Sequence, residues 1–487
     1  MRTSAKFWLI AVLAPFIAMG AWQAYSKDNL VKGKMLAREM SRTRTLLIRD
    51  ARLFLGDGNV IEQGAVLIKD GKIAEIYTGA APDPKTVKAE ALDAAGKTLM
   101  PGLIDVHVHL GAPGGVYENP ADYGSTDKTF PRELAAYLYS GVTAVKSAGD
   151  SLDEVLRVRT TVASGEKLGA ELFVVGPLFT TPGGHGTEYA ANLPEIARPA
   201  FDAGFLRMPQ SAEEARKMVD DLAKRHVDGI KTILEAGGGT HTFVRMDPAL
   251  VKAVADAAHA NKLPVVSHTG NARDVEDAVN AGVDGIEHGS FIDAIPERVF
   301  AMMKQRGIAY DPTLVVVEAI TSIAQGKLEL FDRSLVQQVG PKKLLDSTKK
   351  YLQAQDSEKM RGGLGAYAML LKHGGENLAA ALRAGVPLVT GTDSGNIGVV
   401  HGPGIHRELQ LWVEAGIPAG VALQAATYNA AQLLRASDRM GLIKKGYEAN
   451  LLLVDGNPLK DISVTERISM VMLKGERIDR SELFDQH

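Results

Sequence analysis

The run Pro101–Leu110, PGLIDVHVHL, sets His107 and His109 two residues apart in an apolar stretch, with Asp105 two residues before the first. On a strand, side chains at i and i+2 leave the same face, so both imidazoles point the same way. A buried strand with two basic rings side by side needs a reason. Each ring can find its own hydrogen-bond partner, or both can hold a metal ion. The metal reading demands further ligands elsewhere in the chain, which can be sought along the sequence.

Working outward, residues 101–435 alternate strand-like and helix-like pieces. Strands are expected at Ile104–His109, Val142–Lys146, Glu171–Val175, Gly229–Ile233, Pro264–His268, Gly285–His288, Ile308–Pro312 and Pro387–Thr392. Amphipathic runs such as SAEEARKMVDDLAKRH and NARDVEDAVNAG lie between them. Eight strands with intervening helices fit a closed parallel barrel better than an open sheet, although an open α/β sheet shares much of the pattern. Residues 45–100 and 436–487 carry short alternating runs broken by turn signals. These flanks predict one small β-rich domain built from both chain ends. The charges of the 313–385 region read as a solvated helical face, but a piece inserted after a barrel strand can also cover a site.

The chain has 487 residues, 45% of them hydrophobic and 23% charged, which suits a folded protein with a large core. A net charge of -3 gives no reason to expect a nucleic-acid surface. Cysteine is absent, so disulfides, thiolate ligands and cysteine nucleophiles are excluded. Residues 1–24 place Arg2 and Lys6 before the uncharged run Phe7–Trp22. This is the layout of an export signal, short for a membrane span of roughly 20 residues. A cleaved signal or an uncleaved anchor would each send the body out of the cytoplasm, to a periplasmic or secreted location. Residues 25–44 read as a charged spacer.

In a parallel barrel the C-terminal ends of the strands converge on the active site. His107 and His109 end the first predicted strand, Lys231 lies at the end of the fourth, and His268, His288 and Asp393 end the fifth, sixth and eighth. One strand-end histidine is ordinarily satisfied by its neighbours. Four histidines, a carboxylate and a lysine together form a nitrogen and oxygen donor set suited to zinc or another divalent transition metal.

The ordered series PGLIDVHVHL, IKTILEAGGG, SHTG, GIEHGS, GTDSG and GLIKKGYEANLLLVDGNP resembles the metal-dependent amidohydrolase superfamily, in its prolidase-like and imidazolonepropionase-like branch. That resemblance implies a distorted (β/α)8 TIM barrel with a small β-sandwich domain. It also implies two divalent metal ions, zinc favoured, with His107, His109 and Asp393 on one and His268 and His288 on the other. Lys231 would bridge them after carboxylation by carbon dioxide, since a bare ammonium has no lone pair to offer a cation. A salt bridge in a one-metal site is the other reading of Lys231. SHTG replaces the commoner HAHG, and Asn450 stands where the tail motif usually has Asp.

The implied reaction is hydrolysis of an amide, peptide-like or N-acyl amino acid, by a metal-bridging hydroxide, with Asp393 as general base and then acid. Hydrolysis of a cyclic amide or lactone is an alternative, and a non-catalytic envelope protein with a degenerate barrel is another. His185, in TTPGGHG, is expected to face the substrate or to be structural. Lys146 is expected to pair with a substrate carboxylate or with Asp150. His401, and His406 with Glu408, read as scaffolding. The expected partner is a small-molecule or dipeptide substrate, with no nucleic acid; membrane anchoring by the N-terminus and homo-oligomer formation are left open.

Overall fold

The opening run forms a strand, Leu103–Val108, buried along its length, and His109 lies one residue beyond it. Ile104 and Val106 pack in one cluster with Ala430 and Ala431 of a later helix. The alternate positions Asp105, His107 and His109 therefore turn inward. The computed structural model describes residues 31–192, 195–238, 241–354 and 364–484. The N-terminal run read as a signal or anchor lies outside the described residues. Among the described residues, no helix is long and apolar enough to cross a membrane.

Parallel strands follow at Val142–Ser147, Glu171–Val174 with its continuation Leu178–Phe179, Ile230–Ile233, Val265–His268, Gly285–Glu287 and Ala309–Asp311. The first three form one ladder, and Leu178–Phe179 joins the fourth to seventh strands in a second. The third strand is broken at Gly176 and Pro177. Pro177 has no N–H to donate, and Gly176 takes a φ of 71°.

The eighth position, expected as a strand over Pro387–Thr392, makes only isolated parallel bridges, Tyr310 with Leu388 and Val108 with Ser394. The cause is local. The Gly391 N–H donates to Asp311 Oδ1 at 2.7 Å and the Thr392 N–H to Asp105 Oδ1 at 3.1 Å. Side-chain carboxylates thus take donors that a ladder would use. The result is a distorted (β/α)8 barrel wrapped by helices such as Thr126–Tyr139, Ala212–Lys224 and Pro248–Ala260.

Both chain ends build the small β domain. Lys97–Pro101, from the N-terminal side, pairs antiparallel with Leu451–Asp455, placing Met100 opposite Leu452. Leu451–Asp455 has two working faces. Leu451 and Leu453 join the small domain's core with Ile48 and Val66, whereas Leu452 and Val454 join the barrel's core. Gly102 connects the two domains at close quarters, since a Cβ there would lie 2.3 Å from Thr143. Residues 31–42, within the stretch read as a spacer, form a helix tied down by Arg42 on Glu476 at 3.3 Å.

The helical 313–385 region flanks the loop after the first strand. Val116 N–H donates to Thr348 Oγ1 at 2.8 Å, and Lys350 pairs with Glu118. Among the described residues, those of 313–385 do not line the pocket, whereas Tyr189, Ala200, Phe201, Gly204 and Phe205 do.

Leu452→Ala would empty a fully buried site shared by the two domains, where Leu452 Cδ1 lies 2.8 Å from a Cβ added at Gly141. The expected loss is about 2–5 kcal/mol of unfolding free energy. Urea titration measures it, and a loss below about 1 kcal/mol would show that this contact does not couple the domains.

Candidate active site

The site lies at the C-terminal ends of the barrel strands, where the chain turns inward under strain. His288, Thr313 and Asp393 hold φ values of 66°, 45° and 55°. Such a conformation costs a non-glycine residue on the order of 1–3 kcal/mol and persists where neighbours hold it. Here the His288 N–H donates to Asp311 O at 2.8 Å and the Asp393 N–H to His107 O at 2.8 Å.

Asp393 Oδ1 lies 3.1 Å from His109 Nε2 and 3.4 Å from His107 Nε2. Two donors at about 2.1 Å from one tetrahedral zinc ion stand about 3.4 Å apart, so Asp393 has that spacing to each ring, and the ligand atoms of His107, His288 and Asp393 all lie within 4.8 Å of one another. The rings are anchored from behind. His109 Nδ1 contacts Gly149 O at 3.0 Å and His288 Nδ1 contacts Thr313 Oγ1 at 2.7 Å, which leaves each Nε2 for the pocket. Burial, with the nearby Lys231 charge, holds the His107 imidazole well below its usual pKa. Burial and the neighbouring His268 press His288 to about 3. Both rings are therefore neutral at pH 7, the form that ligates metals. Burial opposes charge on Asp393, but hydrogen bonding and attraction to His109 outweigh it and hold the carboxyl well below its usual range. The donor set fits a divalent cation.

Lys231 is buried, with Nζ 2.9 Å from His107 Nε2 and 3.0 Å from Glu287 Oε2. Lys146 requires a correction. Its ammonium is also buried and donates to Glu287 Oε1 at 2.8 Å, not to Asp150 and not into the pocket. Asp150 instead accepts from Leu110 N–H, Gly111 N–H and Ser147 Oγ. Burial alone would raise the Glu287 carboxyl, yet Lys146 and Lys231 pull it down to about 2. Asp311, buried beside Glu287, is pushed well above the usual carboxylate range by burial and by that neighbour. Two ammonium groups thus share one carboxylate.

His185 lines the pocket, its ring 4.9 Å from that of His268 and its Nδ1 2.7 Å from Glu188 Oε1. His268 Nε2 contacts Glu235 Oε2 at 2.6 Å, a hydrogen-bond distance. Glu235 thus holds His268 from the next strand end, and His185, Glu235 and His268 have ligand atoms within 4.8 Å of one another, a second group that could hold a cation. His401 and His406 do serve as scaffolding, bonded to Ala112 O and Ser140 O. Glu408 accepts the first N–H groups of helix Leu314–Ala324.

Glu235, Glu287 and Asp311 were missed from sequence, although signals existed. Glu235 shares the parity of Lys231 four residues on, Glu287 directly precedes His288, and Asp311 ends the seventh strand.

A distorted (β/α)8 barrel with this donor set defines a metal-dependent amidohydrolase. Residues 98–478 match the Amidohydrolase family, and the chain belongs to it. Among curated proteins it is similar to ochratoxinase of Aspergillus niger, 26% identical over 457 residues covering 90% of this chain and 86% of that protein. Among solved structures it is similar to a Xaa-Pro dipeptidase with bound methionine in its active site. That likeness has a TM-score of 0.70 at 25% identity and covers 89% of this chain and 99% of the other. The A. niger ochratoxinase crystal structure shares the fold, with a TM-score of 0.69 at 23% identity over 89% of this chain and 95% of the other.

Glu287→Gln would leave two buried lysines without their shared carboxylate, and the metal-free protein should lose about 3–5 kcal/mol. The Glu287 carboxyl is depressed from 4.5 to about 2. Its stabilisation is complete above pH 4.5 and is lost as pH falls through 2. The Tm gap between wild type and variant should therefore narrow on acidification below pH 4.5. A gap independent of pH would contradict the charge assignment. Glu235→Gln should weaken metal affinity about 10–100-fold, read by competition with a chelator; unchanged affinity would remove Glu235 from the support of His268.

Proposed function

We propose that the protein hydrolyses an amide bond of a small substrate, peptide-like or N-acyl amino acid. It would do so with two divalent ions, zinc favoured, bridged by a carboxylated Lys231. The convergence of His107, His288 and Asp393, with ligand atoms within 4.8 Å of one another, carries this reading, with His109 against Asp393 and His268 beside His288. Family membership and the Xaa-Pro dipeptidase likeness support it.

When bound, the ions supply an acidified water and a polarised carbonyl. The rest falls to the chain. Asp393, ionised at neutral pH, accepts the proton of the attacking water and delivers it to the departing nitrogen. His107 and His109 hold that carboxylate in place. Carboxylation of Lys231 removes one of the two positive charges on Glu287 and adds two oxygen donors, which suits a cluster short of negative charge. His185, at the pocket wall, is positioned to contact the substrate.

Metal analysis of protein prepared with bicarbonate should give about two ions per chain. Asp393→Asn should lower kcat by roughly 10²–10⁴-fold at restored metal content. Near-normal kcat in that variant would refute the proton transfer. Lys231→Ala should abolish activity, with partial recovery on adding a short carboxylic acid that fills the vacated space. Full activity of the alanine variant with one ion would refute the bridge.

A further inference from the structure

Behind the polar cluster the site opens into a chamber, the whole pocket enclosing about 620 Å³. Phe130, Leu178, Tyr189, Phe201, Phe205 and Ile233 form its apolar wall. Three of these come from the segment between the third and fourth barrel strands. Tyr189 and Phe201 pack against Phe205 at centroid distances of 6.0 and 4.9 Å. Tyr189 also meets His185 edge-on at 5.9 Å, which joins the aromatic wall to the ligand cluster. Tyr189 keeps 48% of its surface exposed, so a guest can still cover it.

The charges in the pocket are one-sided. Among the described residues, Lys231 is the only lysine or arginine lining it, and its ammonium is engaged by Glu287 and His107. Asp150 and Glu154 line the same pocket. A large apolar group would exchange water for aromatic contact, and the wall suits ring-on-ring packing.

We propose that this chamber is a side-chain subsite selecting amides that carry a bulky apolar group, aromatic above all, beside the scissile bond. The inference rests on the amide-hydrolase reading above and names its substrate class. Gly204 offers a way to probe the chamber. It lies in helix Arg198–Phe205 and lines the pocket, and a Cβ there would meet only Ser151 Oγ, at 3.6 Å. A Cβ added there meets no backbone outside its own helix, so a larger side chain can be placed at the chamber wall.

The test uses the metal-loaded full chain and matched N-acyl amino acids and dipeptides, varied one side at a time among Gly, Ala, Leu, Phe and Asp. Phe-bearing substrates should exceed Ala-bearing ones by about 10²-fold in kcat/KM, the worth of burying a phenyl ring. Gly204→Leu should collapse the Phe-to-Ala ratio at least about tenfold, and Phe205→Ala should lower it too. Dissociation constants of uncleavable amide analogues on metal-free protein should follow the same order. Hydrolysis of the whole panel at similar rates, or a ratio untouched by Gly204→Leu in a protein with wild-type circular dichroism, would overturn the subsite. No hydrolysis of any amide, while the analogues still bind in the expected order, would instead overturn the amide-hydrolase reading and leave the subsite standing.

Discussion

Asp105 holds the barrel closed. Its Oδ2 accepts from Thr392 Oγ1 at 2.6 Å, and its Oδ1 accepts from the N–H groups of Thr392 and His107. One buried carboxyl thereby ties the first strand to the chain segment in the eighth position, where a regular ladder is missing. Burial pushes this carboxyl up to about 7, against the pull of those donors. The same clamp sets the distance between His107 and Asp393, two and one residues from its ends. Closure of the fold and the approach of Asp393 to His107 therefore depend on the same contact. Asp311 repeats the device one strand away, through Gly391. The Gly391 backbone comes so close that an added Cβ would lie 2.5 Å from the His107 Cβ.

The buried charges make a second layer of constraint. A lysine is seldom found inside a protein unless it is paired, and here Lys146 and Lys231 converge on Glu287 from the second and fourth strands. Breaking such a group is far more costly than its net worth as an interaction. The arrangement keeps Lys231 within reach of His107 and Glu287 while Lys146 takes no part in the pocket. Strained turns at His288 and Asp393 belong to the same economy of position, because each swings a polar side chain off a strand end toward the centre.

Substrate-facing surface is supplied differently. Polar groups sit on strand ends, held by hydrogen bonds from behind, whereas the aromatic wall rides largely on the inserted segment 187–205. A rigid scaffold with variable loops is the usual division of labour in this architecture.

Much of this was legible in the sequence. Alternation along PGLIDVHVHL and the recurrence of polar residues at strand ends were enough to expect a barrel and to pick out His107, His109, Lys231, His268, His288 and Asp393, because strand periodicity dictates which side chains turn inward. The shared small domain followed from the matching texture of the chain ends, whereas the two buried faces of Leu451–Asp455 came from packing. Periodicity does not say which inward side chain meets which. That depends on how strands are staggered around the barrel, and only the tertiary structure decided that Lys146 pairs with Glu287 rather than Asp150 and that Glu235 supports His268. It also decided that carboxylates join backbone bonds in holding the eighth position, and that, among the described residues, Tyr189, Phe201 and Phe205 wall the pocket. Local sequence sets direction; contact across some hundred residues of intervening chain is set by packing.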